Sequence, residues 1–320
     1  MQAYGVSGTA DEGQRVEYAP DVVRVPTGIV NAYLVGHAAR WVLVDTGMPG
    51  FASVVRRSAE ARFGARAKPV AIVLTHGHFD HSGNVDALAA AWDVPVYAHA
   101  LELAYLAGRS QYPPQDPTVG GAMAFLSRAF PRGGQKVLKT TVLPLPEELP
   151  GLGEWRWLHT PGHTAGHISL FRDADRMLLA GDAVLTVNVD AWSQQLRRRP
   201  ELCNPPAPLT ADWEAARDSV HALAALAPCA IGAGHGLPAA GPSLAAALRR
   251  FEEGFAPPVK GRYVTAPASM GPAGLEWIPP AVPDVLARQA AGAALLVMGG
   301  LGFAAAKSWR AREHAPAIPD

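Results

Sequence analysis

The chain has 320 residues, 28 Lys+Arg against 28 Asp+Glu, 49% hydrophobic and 18% charged residues, so it is formally neutral at pH 7. This balance excludes disorder throughout. Without a basic excess there is no counterion release to drive nucleic-acid binding, so the expected partner is a small molecule and not RNA or DNA. Its two cysteines, Cys203 and Cys229, exclude a disulfide framework and a thiolate-rich metal cage, and fit a reducing compartment. The first twenty residues lack a basic stretch followed by an apolar core, so they do not read as a secretory signal and a cytoplasmic location is expected.

With 32 Gly and 29 Pro, the chain reads as many short elements joined by tight turns. From Val22, apolar β-branched runs (VVRV, NAYLVG, WVLVDTG, VAIVLTH, VPVYAH) alternate with Ala-rich stretches at Ser53 to Phe63 and Asn84 to Trp92. The former predict strands, the latter helices. The stretch from Leu101 to Lys139 is less regular, with helix-like pieces broken by YPPQDP and PRGGQ, and reads either as a cover over a site or as a surface insertion. After Pro150 a second series follows: WRWLHT, HISLFRD, RMLLAGD, a helix around Thr210 to Ala227 with Thr210 as its cap, and a last strand in CAIGAGHG. Two β-rich halves with outer helices predict an α/β fold of four layers, αββα. The catalytic domain is expected over 20–255, with a C-terminal extension over 256–320. In that extension Ala290 to Ala306 is apolar and uncharged but falls short of the ~20 residues of a membrane span. Lys307, Arg310 and Arg312 beyond it would oppose the positive-inside tendency, so a docked helix or self-association segment is expected in preference to a membrane anchor.

The chemistry concentrates where VAIVLT ends, in Thr75-His76-Gly77-His78-Phe79-Asp80-His81-Ser82-Gly83-Asn84. A strand breaking into such a loop can present His76 and His78 to one side while Asp80 and His81 diverge, so one loop can serve two neighbouring metal ions. It cannot complete both coordination shells, and ligand-type residues follow other predicted strands beside glycine: His163 after WRWLHT, Asp182 after RMLLA and His235 after CAIGA. These can meet only if the strands share an edge.

VLVDTG, THGHFDHSGN, TPGHTAGH, AGDAV and GAGHG, in this order, resemble the five motifs of the metallo-β-lactamase superfamily, closest in style to its glyoxalase II-like and lactonase-like hydrolases, over roughly residues 20 to 255. The resemblance implies an αββα sandwich with metals at the edge between the sheets. It implies that His76, His78 and His163 hold a first ion, that Asp80, His81 and His235 hold a second, and that Asp182 bridges them. It further implies that Asp45 orients the loop from the outer shell. His167, four residues after His163, either lines the site or is structural; His37, His99, His159, His221 and His314 carry no assigned role.

Imidazole and carboxylate ligands without thiolate favour two divalent ions, zinc first, with manganese or iron tolerated. Such a pair supplies hydroxide near neutral pH, and Asp80 is placed to shuttle its proton. The expected activity is therefore hydrolysis of an ester, thioester or lactone. The alternatives are a mononuclear iron oxidoreductase like the persulfide dioxygenases, and a metal-binding sensor without catalysis. His78 departs from the flavodiiron relatives, which carry Glu, and Phe79 from the tRNA-processing nucleases, which carry Gly. Leu185 stands where acyl-homoserine-lactone lactonases carry Tyr. For a glutathione clamp only Lys260 and Arg262 offer themselves.

Overall fold

The computed structural model describes residues 17–130, 137–191 and 200–284. The first half runs β1 (Glu17–Ala19), β2 (Val22–Thr27), β3 (Val30–His37), β4 (Arg40–Val44), α1 (Ala52–Phe63), β5 (Ala71–Val73), α2 (Phe79–Ser82), α3 (Val85–Trp92), β6 (Val96–Ala98), α4 (Leu103–Leu106), α5 (Ala122–Ser127) and β7 (Val142–Pro144). The second runs β8 (Trp155–His159), β9 (Ile168–Arg172), β10 (Met177–Gly181), α6 (Trp213–Ala225), β11 (Ala230–Ala233), β12 (Ala239–Ala240) and α7 (Leu244–Glu253). A short helix α8 (Arg262–Thr265) and a hairpin, β13 (Ser269–Gly271) with β14 (Gly274–Trp277), follow.

The first sheet takes its strands in sequence order, β1 to β7, antiparallel up to β4 and parallel from β4 onward. In the second the order is β12-β11-β10-β9-β8, with β10 and β11 parallel. Period-two alternation divides each strand between two cores. On β3 and β4, Ala32, Leu34, Trp41 and Leu43 pack with α1 and α3, while Tyr33, Val35, Val42 and Val44 face the second sheet. On β10, Met177 and Leu179 meet them there, whereas Leu178 and Ala180 turn to α6 and α7. Three cores between four layers are the αββα sandwich.

The sheets are tied together at both ends. At one, Asn31 Nδ2 donates to the carbonyls of Ala233 (2.9 Å) and Gly236 (2.7 Å), and the Tyr33 hydroxyl to Ala233 O (2.8 Å). At the other, the largely buried Arg172 at the end of β9 forms a forked ion pair with Asp21, which precedes β2, and a second pair with Asp175. Its guanidinium also lies 4.7 Å over the Trp155 ring.

One expected cap differs from the observed one. Asp212, not Thr210, caps α6, its carboxylate accepting from the amides of Glu214 (3.0 Å) and Ala215 (2.9 Å). Thr210 lies too early in the chain for that; its hydroxyl donates to Pro206 O (2.9 Å) and faces His163. Residues Met1–Ala281 form one compact unit, in which Tyr263 and Ala268 share the core of α6 and α7. Beyond it the chain is described only over residues 282–284. Among the described residues no helix is long and apolar enough to cross a membrane. The segment Ala290 to Ala306 lies outside the described residues.

Candidate metal centre

Strands β8, β10 and β11 point the same way, so the loops after them, with the loop after β5 in the first sheet, meet at one edge of the sandwich. His76 follows β5, His78 precedes α2, and Asp80 and His81 lie on α2; His163, Asp182 and His235 follow β8, β10 and β11. The fold brings all seven together. Three sets of ligand atoms, from His76–His78–His163, His76–His81–Asp182 and Asp80–His81–His235, each lie within 4.8 Å of one another. His78 Nδ1 faces His76 Nε2 at 3.1 Å and His163 Nε2 at 2.9 Å. The Asp182 carboxylate sits in the middle, 3.5 Å from His81 Nε2, 3.6 Å from His163 Nε2 and 3.3 Å from His235 Nε2. Asp80 Oδ2 closes the far side, 3.6 Å from His235 Nε2.

Four hydrogen bonds on the opposite ring nitrogens fix where the protons reside. The Thr75 hydroxyl donates to Asp45 (2.8 Å), so its oxygen accepts from His76 Nδ1–H (3.1 Å). Thr210, whose hydrogen is committed to Pro206 O, accepts likewise from His163 Nδ1–H (3.4 Å). His81 Nδ1–H donates to Asp45 Oδ2 (2.8 Å), and His235 Nδ1–H to the Ile29 carbonyl (2.9 Å). In each neutral ring Nε2 is left as a bare lone pair aimed into the cluster. Converging lone pairs cannot satisfy one another, and His81 Nε2 and Asp182 Oδ1 are both buried without a hydrogen-bond partner. A cation fits this donor set: imidazole nitrogen and carboxylate oxygen are ligands for zinc and similar divalent ions.

Charge divides the imidazoles into two groups. Burial, together with neighbouring imidazoles, holds His76 and His163 well below the ordinary histidine range, and burial takes His78 down to about 4. Burial is again the largest single influence on His81 and His235, but the surrounding carboxylates together outweigh it, Asp182 first with Asp80, and Asp45 at His81, and hold both above that range, toward the charged form that a bound cation would replace. Asp182, in turn, is kept well below the carboxylate range despite its burial, by His235 and His81.

Around these residues lies a layer of side chains that set their positions. Asp45, at φ 58°, accepts from the Thr75 amide (2.8 Å) and hydroxyl as well as from His81. Asp is among the few residues that tolerate this left-handed conformation. His167 is fully buried; its Nδ1–H faces Thr160 O (3.1 Å) and its Nε2 accepts the Asp182 amide (2.8 Å), so it seats the Asp182 backbone. Gly234 allows close approach: a Cβ there would lie 2.0 Å from Asp182 Oδ1.

Sequence reasoning missed Glu102. Fully buried, it takes four donors: the Gly77 amide (2.9 Å) and the Tyr112 hydroxyl on Oε2, the Thr164 hydroxyl (2.9 Å) and the Gly166 amide (2.8 Å) on Oε1. One carboxylate thereby fastens the loop of His76 and His78 to the loop of His163. Burial raises its pKa above the ordinary value, and the four donors act against that rise. Tyr112 also packs its ring against His78, centroids 4.7 Å apart.

The family model described as "Metallo-beta-lactamase superfamily" matches residues 25–235. The "Probable metallo-hydrolase YflN" of Bacillus subtilis is 44% identical over 235 residues, 72% of this chain and 89% of that protein. The "Hydroxyacylglutathione hydrolase" of Alkalilimnicola ehrlichii is 36% identical over 151 residues, 45% of this chain and 46% of that protein. Among solved structures, the BLEG-1 B3 metallo-beta-lactamase is 23% identical with a TM-score of 0.47, over 76% of this chain and 99% of that one. With its sandwich, its motif order and this family match, the chain belongs to the metallo-β-lactamase superfamily and is a metal-dependent hydrolase.

Proposed function

We propose that this protein hydrolyses an ester, thioester or lactone with two divalent ions, zinc first, held by the seven clustered side chains. The observation that carries the reading is the set of four outer hydrogen bonds that hold Nδ1 of His76, His81, His163 and His235 and turn each Nε2 inward around a central Asp182. His76, His78 and His163 would hold one ion, Asp80, His81 and His235 the other, and Asp182 would touch both. When bound, such ions supply Lewis acidity and lower the pKa of a water to near 7. Asp80 lines the open cleft and is the carboxylate placed to take a proton from the attacking water. Asp45 and His167 keep His81 and Asp182 from turning away. The relative named hydroxyacylglutathione hydrolase supports the thioester arm.

The test is metal analysis of the full chain together with turnover of a panel of esters, thioesters and lactones. Two ions per chain, loss of turnover on chelation and recovery with Zn2+ are expected. A single iron with oxygen consumption on a thiol persulfide, or turnover indifferent to chelation, overturns the proposal.

A further inference from the structure

Beside the cluster lies a small cleft of about 80 Å³ that opens to solvent. Four of its lining residues, His78, Asp80, Asp182 and His235, belong to the cluster; every other lining residue is apolar. They converge from separate parts of the chain. Ile29 and Met48 come from loops of the first sheet, Phe79 from α2, Met123 and Phe130 from the stretch between β6 and β7, and Leu209 from the loop before α6. Phe79 and Phe130 meet edge to face at 5.8 Å. Ile29 is 54% exposed, a large aliphatic side chain held at the surface whose own carbonyl holds His235. Lys260 and Arg262, the cations considered for an anion clamp, are not among the lining residues, and no Lys or Arg is among those described there.

Outside the cluster, the described lining residues offer a substrate no side-chain hydrogen bond and no cation to neutralise a negative charge. Methionine adapts its shape to flexible chains, and two of the lining residues are Met. Resting on the hydrolase reading, we infer that the substrate carries an unbranched hydrocarbon group next to its scissile bond, seated against Met48, Phe79, Met123 and Leu209. In the reaction water adds to the carbonyl carbon and the C–O or C–S bond breaks. One product keeps the water's oxygen as a carboxylic acid, and the alcohol or thiol leaves with a proton. The hydrocarbon group belongs either to the acyl part or to the alcohol or thiol part, and each predicts its own series.

The test uses the metal-loaded full chain and two series of esters, one with straight acyl groups of two to ten carbons on a constant alcohol, the other with a constant acetyl group on alcohols of the same lengths. In one series kcat/KM rises about two- to fourfold per methylene until the cleft is full. Uncleavable straight-chain ketones of matching length inhibit with the same trend, which reads binding apart from turnover. Met123→Ala and Leu209→Ala flatten the slope, and Ile29→Lys, at an exposed position, weakens inhibition by the longest ketones. Flat profiles in both series, with the shortest ester still cleaved in a metal-dependent way, overturn the apolar seat and leave the hydrolase reading standing. No metal-dependent cleavage of any ester, thioester or lactone overturns the hydrolase reading itself.

Discussion

Behind the metal cluster, Asp45, Thr75, Thr210 and the Ile29 carbonyl each accept a hydrogen bond from one imidazole; in front of it, Met48, Phe79, Met123 and Leu209 present only hydrocarbon and thioether surface. The back wall fixes direction, because a hydrogen bond fails when its angle drifts. Apolar contact tolerates sliding, so the front wall can select by size and polarity without fixing a single pose. On the proposed reading, the back residues govern the metal and the front residues the substrate.

Replacing the central carboxylate gives the largest expected effect. Asp182→Asn removes the charge facing three imidazoles, and metal content falls below one ion per chain by elemental analysis; two tightly held ions in that variant would place the bridge elsewhere. Gly234→Ala comes next, since its methyl group would occupy the place of Asp182 Oδ1, and metal affinity falls although no ligand has changed. Asp45→Asn faces the His81 ring and the Thr75 donors with an amide. A loss of about 10- to 100-fold in metal affinity by competition with a chelator is expected, as for other outer partners of metal-bound histidines. Glu102→Gln turns an NH2 group toward two of four donors, at a cost of about 1–3 kcal/mol in thermal or denaturant unfolding. It should weaken the ion held by His76, His78 and His163 more than the other. Smallest of all, Met123→Ala leaves metal content unchanged; a loss there would erase the distinction between the walls.

Most of the cluster itself could be read from the amino acids because its parts lie in short local patterns. His76 to His81 sit on one turn of chain, and His163, Asp182 and His235 each follow a strand and adjoin a glycine, which puts them at a sheet edge. Residues whose work depends on distant partners were not legible. Glu102 stands in LELAYLAG like any solvent-facing helical glutamate, and its partners Gly77 and Gly166 are 25 and 64 residues away. Thr210 resembles a helix cap because a hydroxyl there can serve one, yet Asp212 is closer to the first turn and carries charge. The irregular stretch after β6 showed helix-like pieces but nothing of what they pack against, and it supplies Glu102 and Met123 from short helical turns and Tyr112 from the loop between them. Helix α7 was missed although Leu244, Ala247, Leu248 and Phe251 mark one buried face.

The ties between the sheets bear on distance. His76, His78, Asp80 and His81 ride on the first sheet, His163, Asp182 and His235 on the second, so any slip of one slab across the other would change the spacing between the two halves of the cluster. Asn31 and Tyr33 clamp the slabs at the mouth, and Arg172 locks onto Asp21 at the opposite rim. With both rims pinned, the spacing between the two halves of the cluster is a dimension of the scaffold, set by residues outside the cluster.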